Sequence, residues 1–487
     1  MSIKKYYATK DNTISNAYKS YSNSRRVSSL NYGLTDSLEI FALYGSVTAS
    51  VDDNEKSRAI VQFDTSQIST DRTNGDIPSS GSVSFYLRLK NYVHTSTSPT
   101  SFTLVVAPVS RSWDEGRGQS YDDEDLNQVG SNWLTASSFP EVTWTTAGGD
   151  YRSTPLAEQS FSTADNDLSL DVTSFVESII TDSTVDYGLG IYLTSSQETA
   201  SQSYYKKVFY SRQYSDEAYR PQLEARWNNS LQDDTDNFFL SSSRASSTDN
   251  LNTIYIYNQI RGNLKNIPAV GTNDILVSFY SGSATAPSGS KLALPAGGGV
   301  SADGDTNATG SYVSPGIYSV SVAFNSSSLD YIYPVWHSGS VEYHTGSAIE
   351  PQARGAVGAR RIKKYFLSIT NLQDEYLQNQ NSRLRLYVRD PSLSPTIYTT
   401  AQSTLEATII NKAYYKIYRQ RDNFEIISYG TGSGNDEYTR LSHDSKGNYF
   451  DLDFSAFPKE EDYVIKFLFY EDGQYREQRQ KFKFRVV

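Results

Sequence analysis

The sequence predicts an all-β protein built from several β-sandwiches. Apolar and polar residues alternate with period two in many short segments, and this spacing indicates strands with one buried face. Tyrosine is abundant, with 38 copies among 487 residues, and Ser, Thr and Val are prominent, which is typical of β-sheets. Turn-rich segments such as 283–289 and 431–436 separate the predicted strands, as in sandwich folds. The clearest alternating segments are 84–89, 317–322, 383–388 and 481–486.

Helical spacing is nearly absent, and the best candidate is the segment 172–180. Its apolar residues fall at positions 172, 175, 176, 179 and 180, which lie on one face of a helix. Asp171 precedes the segment and is a suitable N-cap. We therefore expect one or two helical turns here within an otherwise β protein.

The composition excludes several classes of function. The chain contains no cysteine, which rules out disulfides, thiolate chemistry, zinc fingers and iron–sulfur clusters. The net charge of -11 argues against a duplex nucleic-acid interface, because such a surface needs clustered Lys and Arg. We expect no nucleic-acid partner.

The N-terminal residues lack the apolar core of a signal peptide. No apolar run approaches the roughly 18–20 residues that a membrane span needs. These features predict a protein that is made and folded in the cytosol, without export and without a membrane span.

Two polar segments divide the chain into three predicted domains. An acidic linker follows Trp227 at 228–236, and a second boundary is predicted at 349–359. The predicted domains are 1–228, 229–358 and 359–487. The last two have about 125 residues each, near the size of an immunoglobulin-like sandwich.

Several short motifs follow one another through the first domain. They are Asn31-Tyr32-Gly33, Arg58 with 63–68, Arg111-Ser112-Trp113-Asp114-Glu115, 142–144, Tyr187-Gly188, Ser211-Arg212 and 220–223. In this order they resemble the DNRLRE-type modules, a family of jelly-roll sandwiches related to carbohydrate-binding modules. The resemblance implies a jelly-roll fold for the first domain and a non-catalytic role in binding or assembly. The second and third domains resemble immunoglobulin-like β domains in a more general way.

Residue types in the first domain favour structural roles. Trp113, Trp144 and Trp227 lie near predicted strand ends, where large rings can seal a sandwich. Arg58 and Arg212 are expected to bridge strands to backbone carbonyls or carboxylates. A sugar-binding role for any of these residues is the less favoured alternative, because stacking on a sugar requires an exposed ring.

Candidate chemical sites are few. His337, His344 and Glu342 form a conceivable metal set, but their spacing matches no tight zinc motif, and loop or edge-strand histidines are favoured. Two acidic runs, 121–125 and 232–236, could supply oxygen ligands to a structural Ca²⁺, although solvated acidic loops are favoured. The glycines at 297–299 lack the Lys-Ser/Thr of a phosphate loop. We predict no catalytic residue, no cofactor-binding residue and no metal ligand.

Two functions remain open after these exclusions. The first is a non-enzymatic structural component of a tailed-phage virion: a neck, tail or baseplate attachment, or a decoration protein. It would contact other virion proteins, assemble as a homo-oligomer or symmetric multi-copy structure, and could touch host surface polysaccharide. The second is a carbohydrate-binding surface or secreted protein. An enzyme is the least favoured class, because no catalytic constellation is present in the sequence.

Overall fold

The computed structural model describes most of the chain. The described residues are 2–19, 22–48, 51–94, 101–119, 129–163, 165–182, 184–200, 204–325, 328–354, 364–390 and 407–487. Strands make up 46% of the structure and helices 8%, which confirms the predicted all-β class of β-sandwiches. Two compact units are present. Unit 1 comprises Met1–Asn228, Gly430–Tyr438 and Ser455–Glu460, and unit 2 comprises Asn229–Tyr429, Thr439–Phe454 and Glu461–Val487.

Unit 1 contains fourteen strands and three α-helices in its described residues. The strands are β1 (Ile3–Ser15), β2 (Tyr18–Lys19), β3 (Ser22–Arg26), β4 (Ser37–Thr48), β5 (Val51–Phe63), β6 (Ser84–Leu89), β7 (Phe102–Pro108), β8 (Thr135–Ser138), β9 (Glu141–Thr143), β10 (Ala157–Phe161), β11 (Leu168–Asp171), β12 (Leu189–Leu193), β13 (Tyr204–Tyr210) and β14 (Gln222–Arg226). The helices are α1 (Thr65–Asn74), α2 (Thr173–Asp182) and α3 (Ser195–Glu198).

The long strand β1 belongs to both layers of the unit 1 sandwich. Its first half pairs with β14, and its second half pairs with β5 after a bulge between Ala8 and Lys10. The resulting strand order is β10-β7-β12-β5-β1-β14-β6-β11, with β4 on β5 and β13 on β4. A bulge bends a strand, and a strand that changes sheets at a bend forms a sandwich corner.

The hydrophobic core of unit 1 lies between these two layers. In β6, the core residues Phe85, Leu87 and Leu89 are fully buried and alternate with half-exposed polar neighbours. They pack with residues of the opposite layer such as Val61 and Leu104. This alternation is the period-two pattern that predicted the strand.

Two helices of unit 1 are specified by different sequence signals. Helix α2 confirms the expectation for 172–180, because Phe175 and Val176 are buried and Asp171 accepts a hydrogen bond from the Thr173 N–H. Helix α1 was not predicted, because its sequence lacks helical apolar spacing and 63–68 was identified only as part of a family motif. The strand β5 ends at Phe63, and Asp64 caps the helix that follows it.

Unit 2 contains nineteen strands in its described residues. They are β15 (Asn252–Tyr257), β16 (Gln259–Ile260), β17 (Asn263–Leu264), β18 (Ile275–Gly282), β19 (Pro287–Lys291), β20 (Ala308–Ser314), β21 (Ile317–Val322), β22 (Tyr331–Ser338), β23 (Val341–Thr345), β24 (Phe366–Ile369), β25 (Glu375–Tyr376), β26 (Asn381–Arg389), β27 (Ala413–Arg419), β28 (Glu425–Ile427), β29 (Ser442–Asp444), β30 (Gly447–Asp453), β31 (Glu461–Glu471), β32 (Gln474–Glu477) and β33 (Phe482–Val486).

Three main sheets form unit 2. One has the order β15-β21-β20-β18-β22-β23, with β19 on β18, and surrounds a core that includes Phe279, Tyr318 and Trp336. The second has the order β24-β26-β30-β29, and the third has the order β25-β33-β31-β27-β28, with β32 on β31. Aromatic rings join these last two sheets, since Phe450 of β30 contacts Tyr415 of β27 and Phe467 of β31. The division of the chain into three domains at 228 and 358 stays a prediction.

The predicted acidic linker packs against unit 2. The His443 N–H donates to the Leu231 carbonyl, and the Asp233 N–H donates to the His443 carbonyl. Phe238, just beyond the acidic run, is fully buried in the core. The polar composition of this segment reflects side chains that satisfy local backbone donors, in addition to solvent exposure.

Candidate interaction surfaces

Arg58 is held in a cage of aromatic rings in unit 1. Its guanidinium lies 5.0 Å from the Tyr192 ring centroid, and Trp133 and Tyr151 are 5.4 Å and 5.5 Å away. It makes two hydrogen bonds to the Glu198 carboxylate, at 2.8 Å and 2.6 Å, and one to the Gly148 carbonyl at 3.0 Å. The expected bridging role is confirmed, and the aromatic neighbours were not foreseen.

Arg212 also has the bridging role that was expected. Its guanidinium forms a bidentate ion pair with Glu115, and its backbone N–H donates to Asp11 at 2.6 Å. Burial raises the pKa of Asp11 to about 7, although the Arg212 N–H opposes this shift. The motif residues Glu115 and Arg212 therefore tie the 109–119 segment to the end of β13.

All five tryptophans of the chain are packed in the interior. Trp113 and Trp144 join Trp133 in a second core on the outer side of β1 and β5, against Ile14 and Ile60. The indole N–H of Trp113 donates to the Tyr187 carbonyl at 2.8 Å, and that of Trp144 donates to the Asn132 carbonyl at 2.8 Å. Trp227 and Trp336 lie in the main cores of units 1 and 2. None of these rings is exposed for stacking on a sugar.

The histidines and acidic residues singled out in the sequence have local partners. His337 is buried, with Nε2 2.7 Å from Ser278 Oγ and Nδ1 3.1 Å from the Gly339 carbonyl, and burial lowers its pKa. His344 and Glu342 lie on β23, an exposed edge strand. In the described ranges, no group of three or more His, Asp and Glu side chains is arranged to hold a metal ion.

The structure describes only one of the two acidic runs that were considered as Ca²⁺ ligands. The run 121–125 lies outside the described residues. In the run 232–236, Asp233 accepts hydrogen bonds from the Thr235 N–H and hydroxyl, and burial raises the pKa of Asp233 to about 6. Asp234 accepts from the Thr253 N–H and lies 3.3 Å from His443 Nε2. The structural Ca²⁺ stays a prediction.

The outer face of β1, β14 and β6 carries a buried charge cluster within unit 1. Glu224 is surrounded by Lys5, Arg88 and Arg226, at 3.7 Å, 3.4 Å and 2.7 Å. Burial would raise the pKa of Glu224, but the three cations hold it at about 2. Arg226 in turn stacks on Tyr86, 4.1 Å from the ring centroid, and on Tyr438, 4.9 Å away.

A cavity in the interior of unit 1 is too small for an organic ligand. It lies between α2, β14 and the start of β12, and its lining includes Phe63, Phe175 and Asp186. It has space for about one water molecule.

Among the helices that the structure describes, none has the length and apolar character of a membrane-spanning segment.

Large apolar side chains are exposed on unpaired sheet edges. Within the described residues, six strands pair on one side only and carry such a residue: β15 with Tyr257, β16 with Ile260, β17 with Leu264, β23 with Val341, β24 with Phe366 and β32 with Tyr475. Tyr204 at the start of β13 is also exposed, and β13 has a second partner only at Phe209, which bridges to Asn91. Phe366 is 63% exposed and Tyr204 is 67% exposed. Strand β24, with the sequence Phe-Leu-Ser-Ile, has no charged residue and no proline. Charges and prolines are the usual protection against edge-to-edge pairing, so β24 is an open edge within the part of the chain that the structure describes.

A cluster of tyrosines lies beside the end of β13. The rings of Tyr210 and Tyr214 are 4.4 Å apart, and Tyr92 and Tyr219 each lie 4.7 Å from Tyr210. All four side chains are half-buried. Tyrosine combines a large apolar ring with a polar hydroxyl and is enriched at protein interfaces. This cluster and the neighbouring Tyr204 were visible in the sequence only as an excess of tyrosine.

Comparisons with known proteins leave the family open. No protein-family model and no curated protein matches the chain. Among solved structures, a marsupial T cell receptor matches with 7% sequence identity and a TM-score of 0.15, over 48% of this chain and 68% of that chain. A similarity this low carries no argument about fold or function. The resemblance to DNRLRE-type modules stays a prediction.

Proposed function

We propose that this chain is a non-enzymatic structural protein that assembles with other protein chains through its β-sheet edges. The observation that carries the proposal is the edge of β24, which has no second partner among the described residues and where Phe366 is 63% exposed on a strand without charge or proline. An edge strand presents unpaired N–H and C=O groups in a row, which another strand can pair with. The exposed residues of the edge strands β15, β23 and β32 extend the same pattern.

The buried polar groups support a structural role. Arg58, Arg212 and Glu224 form ion pairs that join different segments of unit 1. Buried charged groups that converge on a cleft are typical of active sites. Here Arg58 and Glu224 lie in packed surroundings and Arg212 is half-buried, and each group is paired with a charge of opposite sign, so their positions favour rigidity of the sandwich.

The setting that best fits the sequence is a tailed-phage particle, as a neck, tail or baseplate attachment or a decoration protein. Virion proteins fold in the host cytoplasm and assemble in symmetric copies, which accords with a cysteine-free β-rich chain. Repeated copies would multiply each weak edge contact, because linked binding sites act at high effective concentration.

The proposal is tested on purified phage particles from the source of the gene. Quantitative mass spectrometry of gradient-purified particles is expected to detect the protein at a fixed ratio to the major capsid protein. Its absence from the particles, together with abundance in the lysate, would contradict the virion role. The lysate fraction of a phage capsid protein serves as the control for particle recovery.

The carbohydrate-binding alternative gains no support from the tryptophans, because all five are buried. It would have to rely on tyrosines such as Tyr204 or the Tyr210 cluster. Selective retention of the full chain on host polysaccharide, lost on substitution of Tyr204 and Tyr214 by alanine, would favour it over assembly.

A further inference from the structure

Lys207 is a buried lysine in an aromatic environment. It lies on β13, and the residue is 1% exposed. Its Nζ is 5.3 Å from the ring centroid of Phe161 and 5.0 Å from that of Phe209. Lysine is almost never fully buried in proteins, because an ammonium loses its hydration there. Burial lowers the pKa of Lys207 to about 8, so a neutral amine is accessible near neutral pH.

The amine lies against the side-chain amide of Asn91. Lys207 Nζ is 2.6 Å from Asn91 Oδ1, the atom bonded to the carbonyl carbon Cγ. It also donates to the Asn166 carbonyl at 2.8 Å. The backbone fixes the two residues side by side, because Asn91 pairs with Phe209 in an antiparallel bridge and the Tyr92 N–H donates to the Val208 carbonyl. Two reactive groups held this close have a high effective concentration.

A carboxylate lies beside the same pair. Asp167 Oδ1 accepts a hydrogen bond from the Asn91 N–H at 2.9 Å, and Oδ2 accepts one from Lys90 Nζ at 2.8 Å. The negative charge of Asp167 also acts on the Lys207 amine. A carboxyl group in this position can accept a proton from the amine and return it to the leaving group.

We propose that Lys207 and Asn91 form an intramolecular isopeptide bond. The lone pair of the neutral amine attacks Asn91 Cγ, the Cγ–Nζ bond forms and the Cγ–Nδ2 bond breaks. One proton passes from Nζ through Asp167 to Nδ2, which leaves as ammonia. The reaction requires no oxidant, metal or cofactor.

The bond would link β13 to the segment that follows β6. Lys207 belongs to β13, which pairs with β4 on one side, and Asn91 lies just beyond the end of β6 and bridges to β13 at Phe209. The linked residues are 116 positions apart in the sequence. A covalent link across a loop of this length restricts the unfolded chain, as a disulfide does, in a protein that has no cysteine. The inference holds whether or not the protein is part of a virion.

Mass spectrometry of the intact full-length protein tests the proposal directly. The wild-type protein is expected to be lighter than its sequence by one ammonia molecule. A succinimide at Asn91 would give the same loss, so tryptic digestion of the denatured protein must follow. The expected product is one branched peptide that contains both Asn91 and Lys207, with no cleavage after Lys207.

Matched variants separate the bond from its surroundings. Lys207→Arg keeps a buried cation and is expected to show the full sequence mass, whereas Lys206→Arg, next to it on β13, keeps the ammonia loss. Asn91→Asp is expected to lose water and to give the same branched peptide. A wild-type protein with linear peptides cleaved after Lys207 would overturn the proposal, and so would ammonia loss without a branched peptide.

Discussion

Glu224 is expected to contribute strongly to the acid stability of unit 1. We expect Glu224→Gln to lower the free energy of unfolding by about 3–5 kcal/mol at pH 7, because three buried cations then lack their counter-charge. The folded-state pKa of about 2 lies below the ordinary value of 4.5. The stabilisation is therefore fully present above pH 4.5 and is lost as the pH falls towards 2.

Urea unfolding of the wild type and of Glu224→Gln at several pH values measures this effect. The difference between them should narrow steadily below pH 4.5. Glu158→Gln, which changes an exposed glutamate of β10, is the control and is expected to stay within about 0.5 kcal/mol. A difference that is independent of pH would contradict the assignment of the stabilisation to the charge of Glu224.

Arg58 is expected to be a strong determinant of stability. Arg58→Met keeps an apolar chain among Trp133, Tyr151 and Tyr192 but leaves Glu198 buried without its partner. The expected loss is about 3–5 kcal/mol in the free energy of unfolding. Arg383→Met removes an exposed pair with Asp451 and should cost no more than about 1 kcal/mol. Equal losses in the two variants would contradict the role of burial.

At the scale of elements, helix α1 depends on its two ends. Its residues have weak apolar periodicity, whereas Asp64 accepts hydrogen bonds from the N–H groups of Ser66 and Gln67, and Gly75 has a φ of 81°. Asp64→Ala is expected to lower the free energy of unfolding by about 1 kcal/mol. Gly75→Ala should cost a similar amount, about 1 kcal/mol, for conformational reasons alone, because no atom lies within 4 Å of the added Cβ.

Chemical denaturation of the two single variants and the double variant measures these contributions. The two changes are expected to be nearly additive, because they act at opposite ends of the helix. Thr70→Ala, in the exposed middle of α1, is the control and should not destabilise the protein. A neutral Asp64→Ala variant would show that tertiary packing, and not capping, maintains the helix.

The contrast between α1 and α2 shows what the sequence could reveal. Helix α2 has an apolar stripe, so its period identified it, whereas α1 is specified by capping residues that resemble a turn. The bridging arginines could be foreseen because a buried charge needs a partner. Their partners Glu198 and Glu115 could not be foreseen, since no local signal identifies residues that tertiary folding brings together. The contact between Asn91 and Lys207 could not be foreseen for the same reason.

The edge of β24 is expected to mediate association. Phe366→Lys places a charge on the open edge and should weaken association at least tenfold, since strands are kept apart in this way in natural sheets. Phe366 is 63% exposed, so its loss should leave the free energy of unfolding nearly unchanged. Sedimentation velocity over a range of protein concentrations measures the effect.

Val185→Lys provides the matched control for the edge variant. Val185 is 57% exposed and lies between α2 and β12, outside any strand. The Val185→Lys variant should associate as the wild type does. If the wild-type protein stays monomeric at all concentrations, the chain does not associate with itself and assembly would require other proteins. If Phe366→Lys associates as strongly as the wild type, the β24 edge is not the contact.

At the scale of the whole molecule, unit 1 is not continuous in sequence. Besides 1–228, it includes Gly430–Tyr438 and Ser455–Glu460. Within the unit, Tyr438 stacks on Arg226, and Asp436 accepts a hydrogen bond from the Tyr86 hydroxyl at 2.9 Å. The segment Gly430–Tyr438 covers part of the buried charge cluster, which removal of that segment would expose to water.

We therefore expect a fragment of residues 1–228 to be less stable than unit 1 in the full chain. Tryptophan fluorescence can follow unit 1 alone in a Trp336→Phe background, because the other four tryptophans belong to this unit. Tyr438→Ala in the full chain should lower the urea midpoint in the same direction as truncation, by a smaller amount, since it removes one stacking partner of Arg226. If the fragment and the full chain unfold at the same urea concentration, the late segments contribute nothing to unit 1. In that case 1–228 would be an independent domain whose charge cluster is satisfied by its own residues.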